Sequence, residues 1–180
     1  MDSFSAKFFD GDYNMSTGGT NKNPFEDFTT PKPIIVKGNT DLGDIEVVPY
    51  WWMSNLQTTY TGGVFTATFN VAKVSTLNGG RNLQYVAIYL SPTNLPDIQS
   101  ATQGAVRTFN AGTNTNGNSV PAAASTGGAV TIKIDLNTLT AGEKQFLKVM
   151  GNTIYASIGV KTDKINDQIY SDAIQLQVPF

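Results

Sequence analysis

The sequence predicts an all-β protein: an immunoglobulin-like or fibronectin III-like β-sandwich, preceded by a shorter β segment. Two observations carry this prediction. Nearly every periodic stretch alternates apolar and polar residues, as half-buried strands do. Turn signals rich in Gly, Asn and Pro separate these stretches at the spacing typical of a sandwich. Only residues 141–150 have a pattern that suits a helical turn or two.

The first segment, residues 1–48, is predicted to contain four short strands. Residues 3–9 and 13–16 flank D-G-D (10–12), which has the composition of a hairpin turn. The stretches P-I-I-V and L-G-D-I-E-V-V then flank a second turn signal, K-G-N-T. Four short strands are too few to close a sandwich. Residues 1–48 therefore either need partner strands from elsewhere or are the tail of a larger domain, and we expect them to be a partial N-terminal β domain.

The second segment, residues 49–180, begins at Pro49 and contains seven strand-like pieces. The sequence T-G-G (61–63) is expected to join the first two pieces as a hairpin. The pieces are Y-W-W-M-S-N-L-Q-T, V-F-T-A-T-F-N-V, L-Q-Y-V-A-I-Y-L, A-V-R-T-F, A-V-T-I-K-I-D-L, T-I-Y-A-S-I-G-V-K-T and Q-I-Y-S-D-A-I-Q-L-Q-V. This segment is the predicted immunoglobulin-like sandwich.

The stretch 110–128 is uncharged and rich in Gly, Asn and Ala, so it predicts a long exposed loop. Two interpretations stay open. A long loop at one end of a sandwich can bind a ligand. It can equally be a mobile insertion without a specific role, which the composition favours.

Composition excludes several classes of function. The chain has no Cys and no His, so it offers no thiol nucleophile, no usual triad base and no zinc or copper site built on those ligands. With a net charge of -2 and no basic cluster, nucleic-acid binding is not expected. No stretch is long and apolar enough to span a bilayer. The stretch M-D-S-F-S-A-K-F-F does not match a signal peptide and no Cys is present to bear a lipid, so we expect either a cytosolic protein or a mature or truncated form whose export signal has been removed.

Catalytic and metal-binding residues are not predicted. Asp163, Asn166 and Asp167 supply oxygen ligands in one turn, but they match no calcium-loop spacing, so a solvated turn is favoured. The Gly pairs lie in turns and form no nucleotide-binding motif. The sequence therefore predicts no enzyme and no cofactor.

The two tryptophans are the candidate ligand contacts. Neighbouring residues of a strand point to opposite faces, so Trp51 shares the more apolar face with Met53 and is predicted to be in the core. Trp52 then points outward with Tyr50. It either packs in the junction between the two segments, which we favour, or is exposed and stacks with Tyr50 on a sugar ring.

Several runs of the sequence resemble a family of surface lipoproteins of Bacteroides-type bacteria, a domain of unknown function encoded beside SusC- and SusD-like glycan-uptake proteins. The runs are D-S-F-S-A-K-F-F-D-G-D-Y, K-G-N-T-D-L-G-D-I-E-V-V-P-Y, F-T-A-T-F-N-V, A-I-Y-L-S-P-T and I-Y-A-S-I-G-V-K-T. The resemblance implies that residues 1–48 are the last strands of a carboxypeptidase-regulatory-like (transthyretin-like) domain. It supplies no catalytic residues.

The leading interpretation is a non-catalytic accessory or binding module of a polysaccharide-uptake system, at the outer membrane, the cell surface or in the periplasm. Its expected partners are glycans or SusC/SusD-like proteins, and the chain is expected to be a monomer. One alternative is a carbohydrate-binding module that uses Trp52 and Tyr50. Another is a fimbrial or adhesin subunit, whose open sheet edge would accept a partner's strand.

Overall fold

A computed structural model describes residues 8–17, 23–28, 30–77, 81–98, 106–112 and 117–179. Its strands are β1 (Gly11–Met15), β2 (Lys32–Val36), β3 (Trp51–Thr61), β4 (Val64–Lys73), β5 (Leu83–Ser91), β6 (Val106–Asn110), β7 (Gly127–Asp135), β8 (Thr153–Thr162), β9 (Gln168–Tyr170) and β10 (Ile174–Gln177). The helix α1 spans Ala141–Leu147, and 3₁₀ turns cover Leu136–Thr138 and Lys148–Met150.

Two antiparallel sheets form the sandwich, which confirms the predicted all-β fold class. One sheet has the order β3-β4-β7. The other has the order β10-β8-β5-β6, and β9 also pairs with β8. In immunoglobulin terms these are strands A, B and E against G, F, C and C′.

The core fills the space between the two sheets with alternate residues of each strand. Its largest fully buried side chains include Trp51, Phe65, Phe69, Ile132 and Ile158. Burial of aromatic and β-branched side chains on facing sheets is the main driving force for this fold.

The predicted hairpin and the predicted helical turn are both present. Gly62 and Gly63 join β3 to β4 with φ values of 61° and 85°, the conformation that a two-residue type I′ turn requires. Thr140 and Glu143 form a capping box at the start of α1. The Arg107 guanidinium, on β6, donates to Glu143 Oε1 at 3.2 Å and ties α1 to the sheet.

The first segment differs from its prediction. β1 pairs with β2 over Gly11–Met15, so Gly11 and Asp12 lie in a strand and not in a hairpin turn. Residues 42–48 form no strand, although the turn before them is present, with Lys37 N–H donating to Thr40 Oγ1. The stretch 3–7 lies outside the described residues. The division into domains at residues 48 and 49 stays a prediction.

Part of the predicted exposed loop 110–128 pairs with β7. Ser119 forms an isolated bridge with Thr131 of β7, and the side chain of Asn118 accepts a hydrogen bond from Lys133 N–H at 2.7 Å. Asn118 and Val120 are consequently buried. The prediction of a long exposed loop holds for most of its described residues and was wrong at Asn118 and Val120, because the backbone of residues 118–120 extends the edge of β7. Residues 113–116 of that loop lie outside the described residues.

Candidate functional site

The two tryptophans point to opposite faces of β3, as predicted. Trp51 is 1% exposed, and its indole N–H donates to the carbonyl of Arg81 at 3.0 Å. Trp52 is 53% exposed on the outer face of the three-stranded sheet. The rest of the side chain is covered, and the packing of Trp52 in the junction between the two segments stays a prediction.

Tyr50 does not share the exposed surface with Trp52. Its side chain is only 6% exposed, and the Arg81 guanidinium lies 5.4 Å from its ring centroid. Its backbone N–H donates to the carbonyl of Pro24 at 3.1 Å, so the first segment covers this position. The expectation of a two-ring platform was wrong for this reason. Trp52 as a ligand contact stays a prediction.

Trp52 lies at one end of a polar sheet face. The strand register places Trp52 beside Ala72 on β4, and Ala72 beside Gly127 on β7. Side chains further along this outer face are short and polar, with one lysine. They are Ser54, Gln57, Thr59, Thr66, Thr68, Asn70, Thr131 and Lys133, and together with Trp52 they make up what we call the polar sheet face.

A β-bulge keeps this face continuous. The pairing of β3 with β4 shifts between Ser54 and Gln57, and Asn55 takes a left-handed φ of 54°. If β3 alternated regularly from Trp51 with no bulge, Leu56 would point to solvent and Gln57 to the core. The bulge instead packs Leu56 against the core and keeps Gln57 and Thr59 outward.

The outer face of the other sheet is buried around Tyr89 on β5. Tyr89 and Ala87 form a second buried cluster there, packed by Tyr85, Val106 and Tyr170. The Tyr89 hydroxyl donates to Gln168 Oε1 at 2.9 Å. Burial raises the pKa of Tyr170 to about 12 and raises that of Tyr89 further. Burial thus favours the neutral phenol at both positions.

The carboxylates singled out in the sequence have structural bonds. Asp163 Oδ1 accepts from Asn82 N–H at 2.7 Å, and Asp167 Oδ1 accepts from Gln168 N–H at 2.8 Å. The carbonyl of Asn166 accepts from Lys161 Nζ at 2.7 Å. Within the described ranges, no three Asp or Glu side chains come together as a metal site. Nor does any helix in those ranges have the length and hydropathy to cross a membrane.

Sequence reasoning found Trp52 but missed the rest of the polar sheet face. The T-x-T-x-N pattern at 66, 68 and 70 was available as a signal, because alternate residues of one strand share a face. The side chains of Gln57 and Thr59 gave no such signal. The bulge after Ser54 reverses their orientation relative to a regular strand that begins at Trp51.

The chain is similar in sequence to one protein family and in fold to several solved structures. The sequence model of a family described as a domain of unknown function, DUF3823_C, matches residues 52–175. A DUF3823 family protein from Bacteroides ovatus is 26% identical, with a TM-score of 0.68, over 97% of this chain and 79% of that chain. One from Parabacteroides merdae is 22% identical, with a TM-score of 0.69, over 94% and 72%.

A third solved structure is that of a protein from Bacteroides uniformis named as a candidate carbohydrate binding protein. It is 18% identical, with a TM-score of 0.64, over 94% of this chain and 75% of that chain. At this identity the likeness shows a shared fold alone. No curated protein matches the chain. The resemblance to proteins of Bacteroides-type bacteria is confirmed to this extent.

Proposed function

This chain belongs to the DUF3823_C family, a domain of unknown function, and from that premise we propose that it is a non-catalytic glycan-binding module. The observation that carries the proposal is Trp52, 53% exposed at the end of the polar sheet face. Under this proposal the module is an accessory of a polysaccharide-uptake system at the cell surface. It acts as a monomer beside SusC/SusD-like proteins.

The chemistry of the polar sheet face suits a neutral glycan. An indole ring can stack on the apolar side of a sugar ring, while hydroxyl and amide side chains bond to its hydroxyl groups. Asn70 and Gln57 supply amides, and Thr68 and Thr131 supply hydroxyls 3.4 Å apart. Three strands give a width of about 10 Å, and the six steps of β4 from Ala72 to Thr66, opposite Trp52 and Thr59, give a length of about 20 Å. Such a surface accommodates several units of an extended chain.

Two further observations support a binding role. The uniformis protein that shares this fold is named as a candidate carbohydrate binding protein. The sequence has no His and no Cys, and its Asp and Glu side chains form no catalytic pair that a motif identifies. The surface location and the uptake-system partners come from the resemblance noted in the sequence, and they are part of the proposal.

The test is binding of soluble polysaccharides to the wild-type chain and to Trp52→Ala, by affinity electrophoresis and calorimetry. A panel of xylan, β-glucan, mannan, pectin and mucin glycans covers neutral and acidic classes. We expect a neutral glycan to bind, and Trp52→Ala to weaken its binding about 5- to 30-fold, the equivalent of about 1 to 2 kcal/mol of lost stacking.

The matched control is Val149→Ala, which removes an exposed apolar side chain from the 3₁₀ turn after α1. It should bind as the wild type does. If no glycan of the panel binds, or if Trp52→Ala binds as tightly as the control, the proposed function is wrong.

A further inference from the structure

A cleft lies at the opposite end of the sandwich from Trp52. Trp52 and Tyr60 are eight residues apart on β3, which places their backbones about 25 Å from each other. The cleft has a volume of about 510 Å³, which is within the range of small-ligand sites. Its lining consists of Tyr60, Gly62, Gly63, Asn137, Asn152, Gln177, Val178 and Pro179.

Tyr60 contributes a hydroxyl group that lacks a protein partner. Its oxygen is buried and makes no hydrogen bond to any of the described residues. Burial, and then the charge of Asp135, raises the pKa of Tyr60, so the hydroxyl remains a neutral donor. A buried hydroxyl without a partner is destabilising, and a ligand that supplies an acceptor would remove that cost.

The amide side chains of the cleft are held in place by protein bonds. Asn137 Nδ2 donates to the carbonyl of Gly62 at 3.2 Å and packs so closely on Gly63 that a Cβ there would collide with it. Gln177 Nε2 donates to Thr153 Oγ1 at 2.9 Å. These bonds use the NH₂ groups, so the carbonyl oxygens are the acceptors that can face ligand hydroxyls.

The lining contains no ionised side chain from the described parts of the chain. The acidic group that raises the pKa of Tyr60 is Asp135, whose carboxylate also accepts from Asn137 N–H at 2.9 Å. The Lys144 ammonium donates to the Asn137 carbonyl at 2.9 Å and offsets that negative charge, so the cleft offers an ionised ligand no direct charged partner. The site therefore suits a neutral molecule with several hydroxyl groups.

We propose that this cleft binds a neutral sugar residue, such as the end of a glycan chain, through Tyr60, Asn137, Asn152 and Gln177. The ligand class follows from the lining and deepens the proposed function with a second contact remote from Trp52. The Tyr60 hydroxyl lies below the surface. Tyr60 lines the cleft, and its unpartnered hydroxyl is the group that would donate to a sugar hydroxyl there.

The experiment is ¹H–¹⁵N NMR titration of the full chain with galactose and N-acetylglucosamine, and with galacturonate as the charged counterpart. The neutral sugars should shift the amide resonances of Gly62, Gly63 and Asn152. Galacturonate should shift them less. Tyr60→Phe should weaken the binding about five- to tenfold while its melting temperature stays the same or rises, because the variant loses only an unpartnered hydroxyl.

Gln177→Ala and Gln175→Ala form a matched pair on β10, since only Gln177 lines the cleft. Gln177→Ala should weaken binding, and Gln175→Ala should not. The inference fails if neither neutral sugar shifts the cleft resonances, if galacturonate binds equally, or if Tyr60→Phe binds as the wild type does. Shifts confined to Trp52 and Thr68 would overturn this inference and leave the proposed function standing.

Discussion

The adjacent tryptophans allow a stringent test of the strand geometry, because the same substitution should have opposite consequences at the two positions. Trp51→Phe removes the indole hydrogen bond to Arg81 and leaves a void in a site that is 1% exposed. The lost bond costs about 1 kcal/mol, and the void costs about 1 to 2 kcal/mol. The free energy of unfolding should therefore fall by about 2 to 3 kcal/mol, and the melting temperature by about 6 to 9 °C.

Trp52→Phe is the matched control. Its side chain is 53% exposed, so the same change should alter the free energy of unfolding by less than about 0.5 kcal/mol. Urea unfolding followed by far-UV circular dichroism measures both variants without relying on the indole signal. Acrylamide should quench the single tryptophan of Trp51→Phe strongly and that of Trp52→Phe weakly. Equal destabilisation by the two variants would refute the assignment of Trp51 to the core and Trp52 to the surface.

The remaining predictions concern packing and pH. Gly159→Ala would place a Cβ 2.7 Å from both Gln168 Oε1 and Tyr89 Cε2, so urea unfolding should show a loss of about 1 to 3 kcal/mol; wild-type stability would disprove the close packing. The N–H of Thr140, and then Arg107, hold the pKa of Glu143 below its ordinary value. Its contribution to stability is present above the unfolded pKa and is lost as the pH falls from about 5 to below 4. Glu143→Gln should reduce this loss in a series of urea unfolding curves, and an unchanged pH profile would contradict the prediction.

The sequence was sufficient for the features that depend on neighbouring residues. Period-two alternation placed Trp51 inside and Trp52 outside, and the T-G-G sequence identified the β3–β4 hairpin. Features that depend on distant residues were not accessible in this way. Tyr50 is buried because residues near Pro24 and Arg81 cover it, and no periodicity along β3 encodes that contact.

The cleft is also formed by residues that are distant in the sequence, so it could not be predicted from the pattern of any one strand. Tyr60, Asn137, Asn152 and Gln177 come from four separate parts of the chain, and each is an ordinary polar residue of a strand or turn. No spacing joins them, since the sandwich topology alone brings the β3–β4 hairpin to the end of β10. A motif search therefore finds nothing at this site, although the arrangement in space is specific.

The two sheets differ in how their outer faces are used, and this difference favours the polar sheet face as the ligand surface. Tyr89 and its neighbours bury the outer side of β5, so the centre of that face is closed to a ligand. The outer side of β3-β4-β7 keeps an indole in solvent. An aromatic ring of about 250 Å² that is half exposed forgoes about 3 kcal/mol of burial. A ligand that covers Trp52 recovers part of these ~3 kcal/mol. The proposed stacking needs about 1 to 2 kcal/mol, so partial coverage of the ring is enough.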